Sequence, residues 1–349
     1  MAQPSLLTSW AITVSDTQSK ILDILKDGAF HSGEALGEKV GCSRTAVWKH
    51  LQKLETLGLV IETTKGTGYR IVGGVDLLEG SVITGVLSVE AKPHLSNIDI
   101  FQTIDSTNTY ARQLAEKSSA SGSVILAEQQ TAGRGRRGKS WVSPFAANIY
   151  LSIVWDFEQG AQALEGLSLA IGVAVKRALT AHGVQGVKLK WPNDIYVKQK
   201  KLGGILLEMI GDPAGHCSVI VGVGLNVSMP ASQADEIDQD WTDVTAELES
   251  QQATGADPVL PARNQLAAAL ISEILPLLST FQTQGFAAYR DEWQAADAFY
   301  GQAAAISTPK QAIAGVVRGV DANGALRLEL DSGKIESFIG GELSLRLAE

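Results

Sequence analysis

The spacing of apolar positions changes three times along the chain. Lys20–Leu25 opens an amphipathic helix, and Leu36 and Val40 then stand one helical turn apart behind Ser32, a good N-cap, with Glu34 in the first turn. Gly41-Cys42 interrupts that helix and Ser43 caps the next. Its Val47, Leu51 and Leu54 share a face, while Arg44, Thr45, Lys49 and Lys53 fall largely elsewhere. Two short helices about a glycine turn, the second polar and basic, predict a helix-turn-helix. Leu59–Thr63 and Tyr69–Val72 add two strands around Lys65-Gly66-Thr67-Gly68, which makes a wing. Beyond Gly73-Gly74, strand-like runs (Ile98–Ile104, Ser123–Ala127, Asn148–Trp155, Cys217–Val227) alternate with helical ones (Thr109–Lys117, Gly166–His182, Leu260–Trp293), the mark of an α/β region. From about Gln302 only short strands follow: Ala312–Val320, Ala325–Leu330 and Ile335–Ile339. The turns Asp321-Ala-Asn-Gly324 and Asp331-Ser-Gly333 separate them, and a small SH3-like β-barrel is expected.

The expected organisation is multi-domain α+β: an extension over 1–17, a winged helix-turn-helix over 18–74, a central α/β domain over 75–300 and a β-rich domain over 301–349. A length of 349 residues accommodates this, and 45% apolar with 19% charged residues is ordinary for a soluble globular chain. The longest apolar runs read as too short and interrupted to span a bilayer. The start, MAQPSLLTSW, lacks the basic-then-apolar order of a signal peptide, so no membrane partner and a cytoplasmic location are expected. Cys42 and Cys217 are far apart and suggest neither a disulfide framework nor a metal site, which fits a reducing compartment. The net charge of −9 argues against nucleic acid coating the whole molecule but allows one basic face. Ser43, Arg44, Thr45 and Lys49 are expected at a major groove, with Lys65 and Arg70 on phosphates. Glu34, Glu38 and Glu55 moderate that basicity, and a domain for protein contacts is the other reading.

The densest chemistry lies in Gln129–Trp141, QQTAGRGRRGKSW. Glycines permit close backbone approach, and arginines present planar cationic forks to phosphate and carboxylate oxygens. A loop folding over a polyanionic nucleotide is the expectation. Gly133–Gly138 also satisfies G-x-G-x-x-G and Gly133–Ser140 satisfies G-x-x-x-x-G-K-[ST], but both need a helix directly after the glycines, and Pro144 stands against one. Elsewhere, Asp105-Ser-Thr-Asn108 follows a strand and reads either as a helix cap or as hydroxyl and amide groups offered to a neutral polar ligand. Lys190-Trp-Pro-Asn-Asp194 reads as a turn after a strand, and Lys201-Leu-Gly-Gly204 puts a lysine immediately before a buried strand. The acidic stretch Ala231–Asp257 suggests no function.

Together with Gly341-Glu-Leu-Ser-Leu-Arg346, these motifs make the chain resemble, almost end to end, the bifunctional biotin–protein ligases that also repress biotin synthesis. The resemblance implies a central ligase domain with a mixed sheet. It implies activation of biotin by MgATP to biotinyl-5′-AMP, then transfer to a lysine of biotin carboxyl carrier protein. Ser106, Thr107, Asn108 and Gln130 match positions that hold the biotin head, and Arg134, Gly135 and Arg136 match the loop over the valeryl tail and adenylate. Lys201 matches the lysine between biotin carboxylate and α-phosphate; Lys201, Arg134 and Arg136 are the expected catalytic set. Asn193 and Asp194 match a motif near the phosphates and Mg²⁺, and Arg346 an ATP-contacting arginine. No protein metal centre is expected. The resemblance further implies an adenylate-bound homodimer on operator DNA. A lipoate-type ligase, a metabolite-binding repressor without chemistry and a ligase without repressor activity are the alternatives.

Overall fold

The computed structural model describes residues 16–158, 160, 164–212, 214–234, 237–251, 262–307, 311–340 and 343–347. The expected extension over 1–17 therefore lies almost entirely outside the described residues. So do Gly341 and Glu342 of the terminal motif and the end of the acidic stretch from 252.

Helices α1 (Asp16–Leu25), α2 (Gly33–Val40) and α3 (Arg44–Thr56) precede a hairpin of β1 (Ile61–Thr64) and β2 (Gly68–Ile71). Both expected caps form: the hydroxyls of Ser32 and Ser43 accept from the backbone N–H groups of Ala35 and Ala46. Ile21, Leu22, Leu25, Leu36, Val47, Leu51 and Leu54 make the core, which continues into Leu77 and Phe145 of the next region. The chain between the two regions is clamped. Asp76 accepts from the backbone N–H of Arg263 through its carboxylate and from the guanidinium through its carbonyl. Asn264 donates to Asp76 and Leu77 and accepts from the N–H of Glu79. Arg263 also pairs with buried Glu128 at 2.8 Å. A buried charge is tolerated only with such a partner, so the clamp is part of the interior.

The central region contains α4 (Gly80–Gly85), β3 (Asn97–Phe101), α5 (Thr107–Lys117), β4 (Ser123–Ala127), β5 (Ile149–Phe157), α6 (Leu167–Ala181), β6 (Lys188–Lys190), β7 (Asp194–Val197), β8 (Lys200–Gly211), β9 (Cys217–Leu225), α7 (Ala231–Ala234), α8 (Val244–Gln251), α9 (Arg263–Gln284) and α10 (Arg290–Ala296). Its seven strands form one mixed sheet in the order β3-β4-β5-β9-β8-β7-β6, with only β3–β4 parallel. Helices α6 and α9 pack on one face over Leu151, Ile153, Val221 and Val223, while α5 covers Ile125, Val154 and Ile220 on the other. Side chains alternate across a strand, and on the α5 face the row continues through Tyr150 and Ser152 of β5, Gly222 and Gly224 of β9, and Gly204 and Leu206 of β8. Gly204 and Gly224 stand opposite each other and Gly222 is the next on that face, so the face is recessed there.

The C-terminal strands β10 (Ala303–Ser307), β11 (Ala312–Val320), β12 (Leu326–Glu329), β13 (Ile335–Phe338) and β14 (Ser344–Leu347) pair antiparallel in the order β13-β12-β11-β10-β14, a small SH3-like β-sheet domain. The indole N–H of Trp191, itself buried, donates to the carbonyl of Gly324 at 3.1 Å and seats this domain on the central one.

Three expectations need correction. Lys201 is the second residue of β8, not the residue before it, because the β7–β8 pairing starts at Val197↔Lys200. Arg70 is not free for phosphate: it makes a two-nitrogen contact to Glu62 and stacks on Phe30 at 4.6 Å. The 22-residue helix α9 is long and apolar enough to cross a membrane by length and composition, contrary to the reading of the apolar runs. It lies in the core, with Leu266, Leu270, Ile271, Ile274 and Phe281 buried.

Candidate active site

The recess in the sheet is the floor of a cavity of about 620 Å³. At one end the first turn of α5 supplies neutral polar groups. Ser106 is the N-cap of α5, with the Asp105 carboxylate accepting from the N–H of Ser106, so the capping role holds. The next two side chains, Thr107 and Asn108, also line the cavity although both are almost fully buried. The N–H and hydroxyl of Thr107 both donate to Gln130 Oε1, at 2.9 and 3.1 Å. The Gln130 amide donates to Ser143, whose hydroxyl donates to the carbonyl of Trp141. Gly222 has no room for a side chain: a Cβ there would stand 2.3 Å from Asn108 Oδ1.

The loop over this floor is not a phosphate loop of either pattern tested. Gly133–Trp141 folds back on itself, the N–H of Trp141 donating to the carbonyl of Gly133 and that of Gly135 to Lys139. Only a short 3₁₀ turn, Arg136–Gly138, follows the glycines. The loop returns Trp141 to the floor, where its indole lies over Gly224 and Gly204. A Cβ at Gly224 would meet that ring at 2.6 Å. Arg134 reaches Glu208 of β8 at 3.0 Å. Arg136 turns inward, Nη1 donating to Asn193 Oδ1 at 2.7 Å and Nη2 to the carbonyl of Leu343, and burial pushes its guanidinium below the usual arginine value. One arginine thus joins the loop, the Lys190–Asp194 turn and the C-terminal domain.

The other end of the cavity is cationic. Lys201 Nζ sits 2.8 Å from Asp194 Oδ1 and 5.4 Å from the centre of the Trp141 ring. Its backbone pairs with the acidic stretch, the N–H donating to the carbonyl of Asp240 and the carbonyl accepting from Thr242. Ile237–Gln239 and Trp241 consequently line the cavity, a placement the sequence did not suggest. Lys190 donates to the Tyr196 hydroxyl at 3.0 Å and lies over the rings of Tyr196 and Phe299. Burial lowers its pKa, Asp194 opposes that, and Lys201, Arg346 and Lys139 add to it. Arg346 lines the same cavity from β14.

All eleven side chains or glycines singled out for the ligand site, from Ser106 to Arg346, border this one cavity. Sequence reading missed Trp141 and Lys190 of the lining, and Ser152 and Glu208, which bond Asn108 from behind it. Trp141 and Lys190 stood inside motifs already marked, and the strand alternation Gly204-Leu206-Glu208 could have pointed to Glu208. The arrangement offers cationic groups at one end, suited chemically to anions, and neutral hydrogen-bonding groups at the other.

On the first domain, Ser43, Arg44, Thr45, Trp48 and Lys49 are exposed along the start of α3, and Lys65 is exposed at the tip of the wing. This is an exposed helix face carrying Arg44 and Lys49, beside a hairpin tipped by Lys65.

Residues 100–226 match the family described as Biotin/lipoate A/B protein ligase family, residues 17–70 an HTH domain and residues 301–346 the Biotin protein ligase C terminal domain. The chain is 39% identical over 329 residues to the bifunctional ligase/repressor BirA of Salmonella typhimurium, covering 94% of this chain and 97% of that one. It is equally similar, 39% over 331 residues, to BirA of Escherichia coli, covering 95% and 97%. Among solved structures it resembles the biotin protein ligase of Aquifex aeolicus in complex with biotin and ATP, with 26% identity, a TM-score of 0.59, and coverage of 73% of this chain and 100% of that one. With three matched segments in one order and relatives aligned over nearly their whole length, the chain belongs to the bifunctional biotin ligase/repressor family.

Proposed function

We propose that this chain joins biotin to ATP, giving biotinyl-5′-AMP and pyrophosphate, and then passes the biotinyl group to one lysine of a biotin carboxyl carrier protein. The observation that carries the reading is the single cavity with a neutral polar end at Thr107, Asn108 and Gln130, a cationic end at Lys190, Lys201 and Arg346, and a loop with three arginines above both. A ureido ring suits the first end, and a carboxylate beside a phosphate suits the second.

In the first half-reaction a biotin carboxylate oxygen bonds to the α-phosphorus, and the bond to the bridging oxygen breaks with its electrons leaving on pyrophosphate. Carboxylate and phosphate repel each other. Lys201, held by Asp194 and Trp141, neutralises both and aligns them. Mg²⁺ belongs to the substrate MgATP. Such an ion needs one or two carboxylate or amide oxygens besides phosphates, and the adjacent Asn193 and Asp194 fit that role; no cluster of three acidic, His or Cys side chains stands among the described residues. When bound, the ion offsets charge on the departing pyrophosphate. In the second half-reaction the carrier amine attacks the acyl carbon and AMP leaves. The loop from Gly133 to Trp141 covers the mixed anhydride against water between the two steps.

The first domain, taken as 18–74, binds operator DNA through Ser43, Arg44, Thr45, Lys49 and Lys65, and adenylate binding favours a homodimer that presents two such domains. Domains over 75–300 and 301–349 carry the ligase chemistry, and both activities place the protein in the cytoplasm. The test is ATP–pyrophosphate exchange with biotin or lipoate added. Exchange that depends on biotin supports the reading, and exchange that depends only on lipoate, or on neither, rejects it.

A further inference from the structure

Glu208 does not border the cavity, yet both groups it touches do. One carboxylate oxygen accepts from Asn108 Nδ2 at 2.8 Å and the other pairs with Arg134 at 3.0 Å. The side chain is 15% exposed and the sheet places it on the same face as Gly204 and Leu206, one step beyond the recess. A carboxylate only accepts, so it dictates which end of the Asn108 amide turns toward it. With Nδ2 committed to Glu208, Oδ1 is left to accept, and it does, from the Ser152 hydroxyl at 2.6 Å. That hydroxyl also lies 2.8 Å from Thr107 Oγ1, and the backbone N–H of Thr107 donates to Gln130 Oε1. The polar floor is therefore one connected chain, from Arg134 through Glu208, Asn108, Ser152 and Thr107 to Gln130, and the only group in it with a fixed acceptor sense and a full charge on the strand side is Glu208.

We propose that Glu208 is the positioning residue for the head of the vitamin: it fixes the amide orientation of Asn108 and holds Arg134 of the loop over the same end of the cavity. The inference rests on the biotin-ligase reading above and deepens it. Its consequence is selective. Disturbing Glu208 disorganises the end that takes the ureido ring and leaves Lys201, Asp194 and Lys190 as they are, because none of those three contacts the chain. An interaction made alike in ground and transition state moves KM and not kcat.

The substitution Glu208→Gln keeps the shape, removes the charge and presents an N–H to Arg134 or Asn108. ATP–pyrophosphate exchange is measured on the full chain with biotin and ATP varied separately. The expected result is a rise of about 10-fold or more in KM for biotin, with KM for ATP within about 3-fold of the parent and an unchanged melting temperature without ligand. Glu208→Asp keeps the charge on a shorter arm and should show a smaller rise. An unchanged biotin KM in Glu208→Gln overturns the assignment. So does a loss confined to kcat, an equal rise for ATP, or a fall in melting temperature that accounts for the defect. The parent run alongside separates the two readings: a parent that shows no biotin-dependent exchange rejects the proposed function itself, whereas a responsive parent with an unaltered variant rejects only the role of Glu208.

Discussion

Lys201 shows how one side chain is prepared for its task. Its ammonium is mostly shielded, paired with Asp194 and laid against the Trp141 ring, so little reorganisation is needed when a second anion arrives. Lys201→Ala should slow biotin-dependent pyrophosphate exchange on the order of 100- to 1000-fold, and normal exchange by that variant would contradict the role. Arg136 does something different: it ties the loop to Asn193 and to the carbonyl of Leu343. Arg136→Gly should keep part of the activation chemistry while releasing adenylate at least about 10-fold faster, since two charge-assisted bonds go. Retention of adenylate as long as in the parent, followed by rapid filtration, would remove the loop's covering function. In the sequence Lys190 stands out only as the first residue of a proline turn. Its burial between two rings depends on Phe299, more than a hundred positions away, which no local pattern exposes.

At the scale of elements, what was readable was whatever a short window contains. Ser32 and Ser43 announce α2 and α3, and the apolar triplet Val47, Leu51 and Leu54 fixes which face of α3 is left outward. Lys49 is on that outward face. Lys49→Glu should weaken operator binding by about 10-fold or more, since it puts a negative charge against phosphates, with pyrophosphate exchange untouched; titration of labelled operator with and without adenylate decides it. What could not be read were relations across the sheet. Asn108 and Glu208 are joined only because β8 and β9 pair with Leu206 opposite Gly222, and Gly222 is glycine because Asn108 lies over it. The role of the acidic stretch was equally hidden, since its contact with Lys201 is made by backbone groups, to which charge gives no clue. Arg70 misled for the opposite reason: a basic residue in a wing reads as a phosphate ligand until Glu62, its partner across the hairpin, is placed opposite.

At the scale of the molecule, stability and geometry turn on a few polar points set in apolar surroundings. One is buried Asp297, just after α10, where it accepts from the N–H of Phe299. Burial raises its pKa from 3.8 to about 6, against the opposing pull of that N–H and of Lys188. Between those two values the folded chain holds a proton that the unfolded chain has lost, so stability falls as pH climbs through this window and stays lower above it. Asp297→Asn should remove the dependence: its melting temperature should exceed the parent's at pH 7.5, by the equivalent of roughly 3 kcal/mol, and the gain should vanish near pH 4. A gain of equal size at both pH values would assign the effect to packing.

The other such point is the clamp of Asp76–Glu79 by Arg263 and Asn264. Pinned there, the recognition helix is an arm set at a fixed angle and not a weight on a string. In the proposed dimer the two arms become callipers whose opening is decided by how the ligase halves meet. An operator lengthened or shortened by a few base pairs between its halves would turn one groove away from its helix, and nothing in the neck of the protein could follow it round.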